Sequence, residues 1–234
     1  MADARRPPLV MADGTLEALK WTAALLMVLD HTNKYLYHEM LPGVFQMGRT
    51  VMPIFAFVLA YNLARPEALA RGVHTRMMGR LAFWGVLASP MTLMLNGSLV
   101  NAPAWWPLNI LFTLLCIVTL IRLIEQGGSK PLAAAAAVFL IAGALVEFLW
   151  FGLACGVSAW GYCRKPTPFR RLLWILGTAS LSIVNGNTWA LAALPLLMYA
   201  SGVRIPVPRL RWAFYALYPM HLLALLTIVN VKGG

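Results

Sequence analysis

One stretch of this sequence gathers side chains able to move protons. Asp30 and His31 are neighbours, Lys34 follows four residues after Asp30, and His38 four after Lys34. On a helix Asp30, Lys34 and His38 share one face. His31 sits about 100° around from Asp30 and addresses a neighbouring helix. Arg49 opens the next apolar segment, and His221 stands in the last one. An aspartate beside a histidine supplies a base and a carboxylate that fixes its tautomer. An arginine holds a carboxylate, a phosphate or a developing oxyanion. That inventory suits acyl transfer to an amine or hydroxyl, and it equally suits proton-coupled transport. Asp30 with Arg49 also fits a purely structural ion pair, and either histidine a hydrogen-bonded interior residue. No metal-ligand spacing, Walker loop or Gly-x-Gly-x-x-Gly occurs, so no metal is expected. Cys116, Cys155 and Cys163 form neither a disulfide framework nor a zinc site.

These few polar groups must be positioned by a very apolar chain. Of 234 residues, 60% are hydrophobic and 12% charged, with a mean hydropathy of +0.72. Soluble domains carry about 45–50% apolar and about 25% charged residues, and a soluble fold of this size has too little interior to hide the excess. The composition excludes an ordinary soluble enzyme and a disordered chain. It predicts an all-α, polytopic integral membrane helical bundle. With spans of about 17–25 residues, about nine candidates emerge: 16–36, 49–64, 80–94, 108–124, 131–146, 148–163, 170–184, 188–202 and 212–231. Turn chemistry separates them, as in Leu41-Pro42-Gly43, Asn96-Gly97-Ser98 and Asn185-Gly186-Asn187. Residues 1–234 read as one transmembrane domain, with 1–15 a cytoplasmic tail and the first helix retained.

The net charge of +11 follows the same frame. With the N-terminus in the cytoplasm and the C-terminus outside, all of the 19 Lys and Arg except Lys34, Arg49 and Lys232 fall on the cytoplasmic side. The charge is thus mostly topology, and no nucleic-acid partner is implied. Tryptophans such as Trp21, Trp105 and Trp212 fall near span ends, as interfacial belts do. The helical rise puts Asp30 roughly 21 Å beyond Leu16, in the outer third. Arg49, Asn109, Glu147, Asn185 and Asn187 lie on that outer side, while His221 is near the midplane. One polar pocket in the outer half is therefore expected, with Asp30, His31, Arg49 and His221 as reactive groups. Lys34, Asn109, Glu147 and Asn185 would bind substrate. Pro53, Pro90 and Pro219 are expected to break or bend their helices.

The motifs resemble the TraX/TrbP family of conjugation proteins, associated with acetylating the N-terminus of pilin. Leu19-Lys20-Trp21 through Met27-Val28-Leu29-Asp30-His31 is similar to its opening signature. Gly48-Arg49 with Pro53-Ile54-Phe55-Ala56-Phe57 is similar to its second, and Asn109-Ile110-Leu111-Phe112-Thr113-Leu114 to a further block. Tyr218-Pro219-Met220-His221-Leu222 resembles its closing Tyr-Pro-x-His-Leu, which adds Tyr218 to the substrate-binding set. The family also looks like a short relative of the larger acyltransferase-3 type of membrane acyltransferase.

The resemblance implies a multi-pass protein of the bacterial inner membrane, with its pocket toward the periplasm. It would serve type IV secretion pilus biogenesis, with a pilin subunit peptide and membrane lipid as partners and acetyl-CoA as donor. His31, oriented by Asp30, would deprotonate the acceptor amine while Arg49 and His221 assist. Head-to-tail cyclisation of the pilin by the same pocket is the alternative. A non-enzymatic transporter or pilin-assembly factor is the third reading.

Overall fold

The computed structural model describes residues 10–97, 105–208 and 210–233. Arg5, Arg6, Arg209, Ser98 and the side chains of Arg211 and Lys232, used in the reading above, lie outside the described residues. Among the described residues every regular element is helical. They are α1 (Asp13–Leu36), α2 (Pro42–Gly48), α3 (Val51–Leu63), α4 (Val73–Gly97), α5 (Ile110–Gln126), α6 (Ser129–Gly143), α7 (Leu149–Arg164), α8 (Pro168–Ala179) and α9 (Leu181–Asn185). A 3-10 turn (Trp189–Ala192), α10 (Ala193–Ala200) and α11 (Arg211–Gly233) complete the chain.

The most apolar run, Val51–Ala60 of α3, is buried at every position. It forms the central post, with α1, α5 and α7 packed around it. The outer surface is apolar too: Phe83, Val86, Leu140, Leu172, Ile183 and Leu223 are exposed. Such a surface suits a lipid surround, because lipid replaces the water that would otherwise drive aggregation. Three helical stretches are long and apolar enough to cross a membrane: Pro42–Leu63, Val73–Asn96 and Trp212–Val231. Ser129–Gly143 and Trp189–Ala200 are shorter apolar helices.

Several expectations need correction. The segment expected at 49–64 is the helix Val51–Leu63, but the apolar stretch reaches further back, through α2 to Pro42. Pro53 breaks nothing, because α3 begins at Val51 and Pro53 falls in the first turn, where helical N–H groups lack partners anyway. Pro90 and Pro219 do lie inside α4 and α11. α4 starts at Val73, not at Arg80, since long basic side chains snorkel from a first turn. The segment expected at 170–184 is two helices meeting at Ser180. That expected at 188–202 is a 3-10 turn followed by an eight-residue helix.

The bundle has two chemically distinct ends. At one, Asp13 pairs with Arg65, Thr15 Oγ1 donates to the Val203 carbonyl (2.7 Å), and Glu125 accepts from Arg164 while His74 Nε2 lies 3.1 Å from its other oxygen. These contacts draw together the connections that carry the basic residues. At the other, Tyr35 donates to Asn96 Oδ1 (3.0 Å), and Leu108 bridges Val146 through Leu108 N to Leu145 O (2.8 Å) and Glu147 N to Leu108 O (2.9 Å). The second end holds Asp30, Arg49 and Glu147.

Candidate functional site

The polar end is built on the turn that follows α1. Buried Asn33 clamps that turn twice: its Nδ2 donates to the Leu41 carbonyl (3.1 Å), and its Oδ1 accepts from Leu41 N (3.0 Å). His38 and Glu39 take positive φ values of 50° and 62° to close it. α2 is thereby folded back along α1, and Arg49 at its end reaches Asp30. Arg49 Nη2 donates to both Asp30 oxygens, at 2.9 and 2.8 Å. Its Nε donates to the Phe45 carbonyl (3.3 Å), and its guanidinium lies 4.3 Å from the Phe45 ring centre.

Gly48 makes that approach possible. A Cβ there would stand 2.4 Å from Asp30 Oδ1, whereas one on Gly43 would meet nothing within 4 Å. Gly48→Ala is therefore expected to cost about 1–3 kcal/mol through overpacking, and Gly43→Ala almost none. Thermal stability of the two variants in the same detergent checks this, and equal stability would contradict it.

His31 and His221 meet across the α1–α11 contact, with His31 Nδ1 2.8 Å from His221 Nε2. The rings lie near-parallel, with centroids 5.0 Å apart. His221 Nδ1 is 3.0 Å from the Leu217 carbonyl, which only accepts, so this nitrogen carries the proton. In a neutral pair His221 Nε2 then accepts from His31 Nδ1. His31 Nε2 is left as the lone-pair nitrogen, an assignment made from the hydrogen-bond network. Tyr218 packs edge-on behind both rings, 6.5 Å from His31 and 5.4 Å from His221.

His31, Asp30, Lys34, Arg49, Glu147 and Phe148 wall a cavity of about 120 Å³. Glu147 enters it from the connection between α6 and α7, anchored through its own carbonyl by Thr113 Oγ1 (2.6 Å). Phe148 beside it lies in the left-handed region at φ 65°, unusual for a bulky residue. Enclosure pushes the Glu147 carboxyl above the usual carboxylate range, while Lys34 and Arg49 pull it down. A base, two cations (Lys34 and Arg49) and three carboxylates (Asp30, Glu39 and Glu147) thus converge on a space the size of a few atoms. Such a set of groups can take up a proton, pair with a charged ligand and stabilise negative charge.

Five of the anticipated residues line this cavity: Asp30, His31, Lys34, Arg49 and Glu147. His221 and Tyr218 stand behind His31. Asn109 and Asn185 are not brought in. Asn109 caps α5, accepting from Leu111 N (3.1 Å) and donating to the Gly85 carbonyl of α4 (3.0 Å), so its amide is already engaged. Asn185 ends α9 and lies outside the cavity wall. Asp30 does not orient His31: its carboxylate is held by Arg49, and the imidazole is oriented by His221. Asn33 and Gly48, which position the pair, were not singled out for that role. The signal for Gly48 was its place directly before Arg49.

The chain matches the family described as TraX protein over residues 15–229. The chain belongs to the TraX family. One relative, Protein TraX of Escherichia coli, is 29% identical over 137 residues, covering 58% of this chain and 51% of the relative. Another, Protein TraX of Escherichia coli (strain K12), is 35% identical over 77 residues, covering 33% of this chain and 28% of that one. The matched regions therefore span about half of one curated relative's length and little more than a quarter of the other's. No solved structure matches. All residues lining the cavity, from Met27 to Phe148, and His221 behind them fall within the TraX match.

Proposed function

We propose that this chain is a multi-pass inner-membrane acyltransferase that acetylates the N-terminal amine of a conjugative pilin subunit during type IV secretion pilus biogenesis. The observation that carries this reading is the His31–His221 pair, with His31 Nε2 left basic at the wall of a cavity holding Arg49, Lys34 and Glu147. The acceptor amine attacks the carbonyl carbon of acetyl-CoA. The N–C bond forms and the C–S bond breaks. The amine proton passes to His31 Nε2 and on to the departing thiolate. Arg49 and Lys34 are the cations at hand for the oxyanion, and Glu147 is the carboxylate at hand for the incoming ammonium, which releases one proton to the water outside before the neutral amine attacks.

The basic end, with Arg65, Arg71, Arg76, Arg122, Arg164 and Arg170, faces the cytoplasm by the positive-inside rule. The His31 cavity then opens toward the periplasm, where a mature pilin N-terminus is presented. In this arrangement the chain crosses about nine times, N-terminus in and C-terminus out. The α8–α9 and Trp189–Ala200 passes are broken or short, as helices supported by protein rather than lipid are allowed to be.

The test is the purified chain in nanodiscs with a peptide carrying the mature pilin N-terminus and acetyl-CoA. A gain of about 42 Da on the peptide amine is expected. A loss of about 18 Da, with or without donor, would instead mark cyclisation. An unmodified peptide would favour a transporter or assembly factor.

A further inference from the structure

A second cavity lies at the basic end, of about 260 Å³, with Lys20, Asn62, Arg76 and Arg80 in its wall. Lys20 is paired with Glu17 at 2.7 Å. Arg80 lies 5.4 Å from the Trp212 ring centre, and Arg76 is in no ion pair among the described residues. Among the described residues no Asp or Glu stands in this wall, and the acid nearest in sequence on α1, Glu17, is paired with Lys20. The two arginines remain to meet an anion.

This cavity is not isolated from the histidine pocket. Between them lies a gap of only about 20 Å³. It shares Phe55, Leu114, Phe214 and Tyr215 with the basic cavity, and Met27 and Ile110 with the histidine cavity. Tyr218, edge-on to His31, also borders it. Three spaces are therefore strung along α1 from Lys20 to His31, wide and cationic at one end, apolar and narrow between, and polar at the other.

We infer that this string is the donor path. The Arg76/Arg80 mouth binds the phosphates of a nucleotide-bearing thioester, and the Phe55–Phe214–Tyr215 neck admits its thin arm toward His31. The inference rests on the acetyltransferase reading for the donor's identity. The lengths agree. Lys20 and His31 are eleven residues apart, roughly 16 Å along a helix. An extended arm of about thirteen bonds, as joins phosphate to sulfur in coenzyme A, covers roughly 15 Å at about 1.2 Å per bond. The neck must widen by rotation of Phe214 or Tyr215, and in the closed state it keeps the cytoplasm and the outer cavity apart.

The experiment uses the full chain in nanodiscs and compares acetyl-CoA with S-acetylpantetheine, which lacks the phosphates. Arg76→Gln with Arg80→Gln is expected to raise KM for acetyl-CoA at least about tenfold, the loss of one or more charge-assisted hydrogen bonds. Turnover with S-acetylpantetheine should stay within about twofold, because no phosphate contact is involved. Arg76→Lys with Arg80→Lys, which keeps both charges, should restore most of the affinity and shows that folding is intact. Equal KM changes for both donors, or none for acetyl-CoA, would overturn the inference and leave the arginines as topological charges. Equilibrium binding of coenzyme A to the wild-type chain and to the Arg76→Gln, Arg80→Gln chain, measured beside the mass of the pilin each produces, separates the two readings. Arginine-dependent binding with an unmodified pilin would uphold the mouth and defeat the acetyltransferase. Acetylation by a chain whose donor affinity ignores the arginines would do the reverse.

Discussion

Replacing His31 with alanine is expected to lower acetyl transfer by about 10²–10⁴-fold, the usual contribution of a positioned general base. KM for the donor should change little. The reason is the wiring of the two rings. His221 is protonated on Nδ1 by its bond to the Leu217 carbonyl, so its Nε2 accepts from His31 Nδ1 and leaves His31 Nε2 as the base. His221 acts through His31 and is a positioning residue. His221→Ala removes the acceptor that holds the tautomer, and the rate should fall with it. His221→Gln can present an amide oxygen to His31 Nδ1 and should recover part of the loss. A stable but structurally perturbed variant would not discriminate between Ala and Gln in this way. Rates measured with saturating donor on chains of equal thermal stability make the comparison. A His31→Ala chain with unchanged rate would remove His31 from the chemistry.

The second large effect concerns the Asp30–Arg49 pair. Its side chains retain only 15% and 20% exposure. Removing one partner leaves the other as an uncompensated, largely enclosed charge, and breaking such a pair costs about 3–5 kcal/mol. Arg49→Ala should therefore lower stability by about 3 kcal/mol, near the lower bound because the cavity admits some water. The pair also ties α2 to α1, so the loss should be cooperative with local unfolding of the Pro42–Gly48 segment. Neutralising both partners, Asp30→Asn with Arg49→Gln, should destabilise less than Arg49→Ala alone. Denaturation of the three variants in one detergent gives the coupling. Additive effects would mean that the two charges do not depend on each other.

The reactive residues were legible because charge is so scarce in this chain. An aspartate, an arginine and two histidines within apolar helices have few places to go, and helical rise alone put Asp30 and Arg49 at one depth. The Asp30–Arg49 ion pair was among the readings the sequence allowed, and it forms; what could not be read was the partner of His31. Asp30 and His31 are sequence neighbours, but neighbours on a helix point about 100° apart. One faces α2 and the other α11, so the carboxylate serves Arg49 and the imidazole serves His221. Asn109 stands at the polar end yet not in the pocket, because depth does not specify facing; its amide turns to the Gly85 carbonyl of α4. Asn33 was overlooked since both its bonds go to the backbone of a turn. The break at Ser180 left no mark in hydropathy, which averages over a window longer than α9. Arg76 and Arg80 belong to a basic loop that orientation explains and that could also attract an anionic donor; the cavity between α1, α3, α4 and α11 gives them a place to do so.

The most direct measurement is the intact mass of the pilin subunit from cells making the wild-type chain, the His31→Ala chain, or neither. The account predicts a gain of about 42 Da located on the N-terminal amine with the wild type only. The same gain with His31→Ala, or a pilin of identical mass in all three, would contradict it.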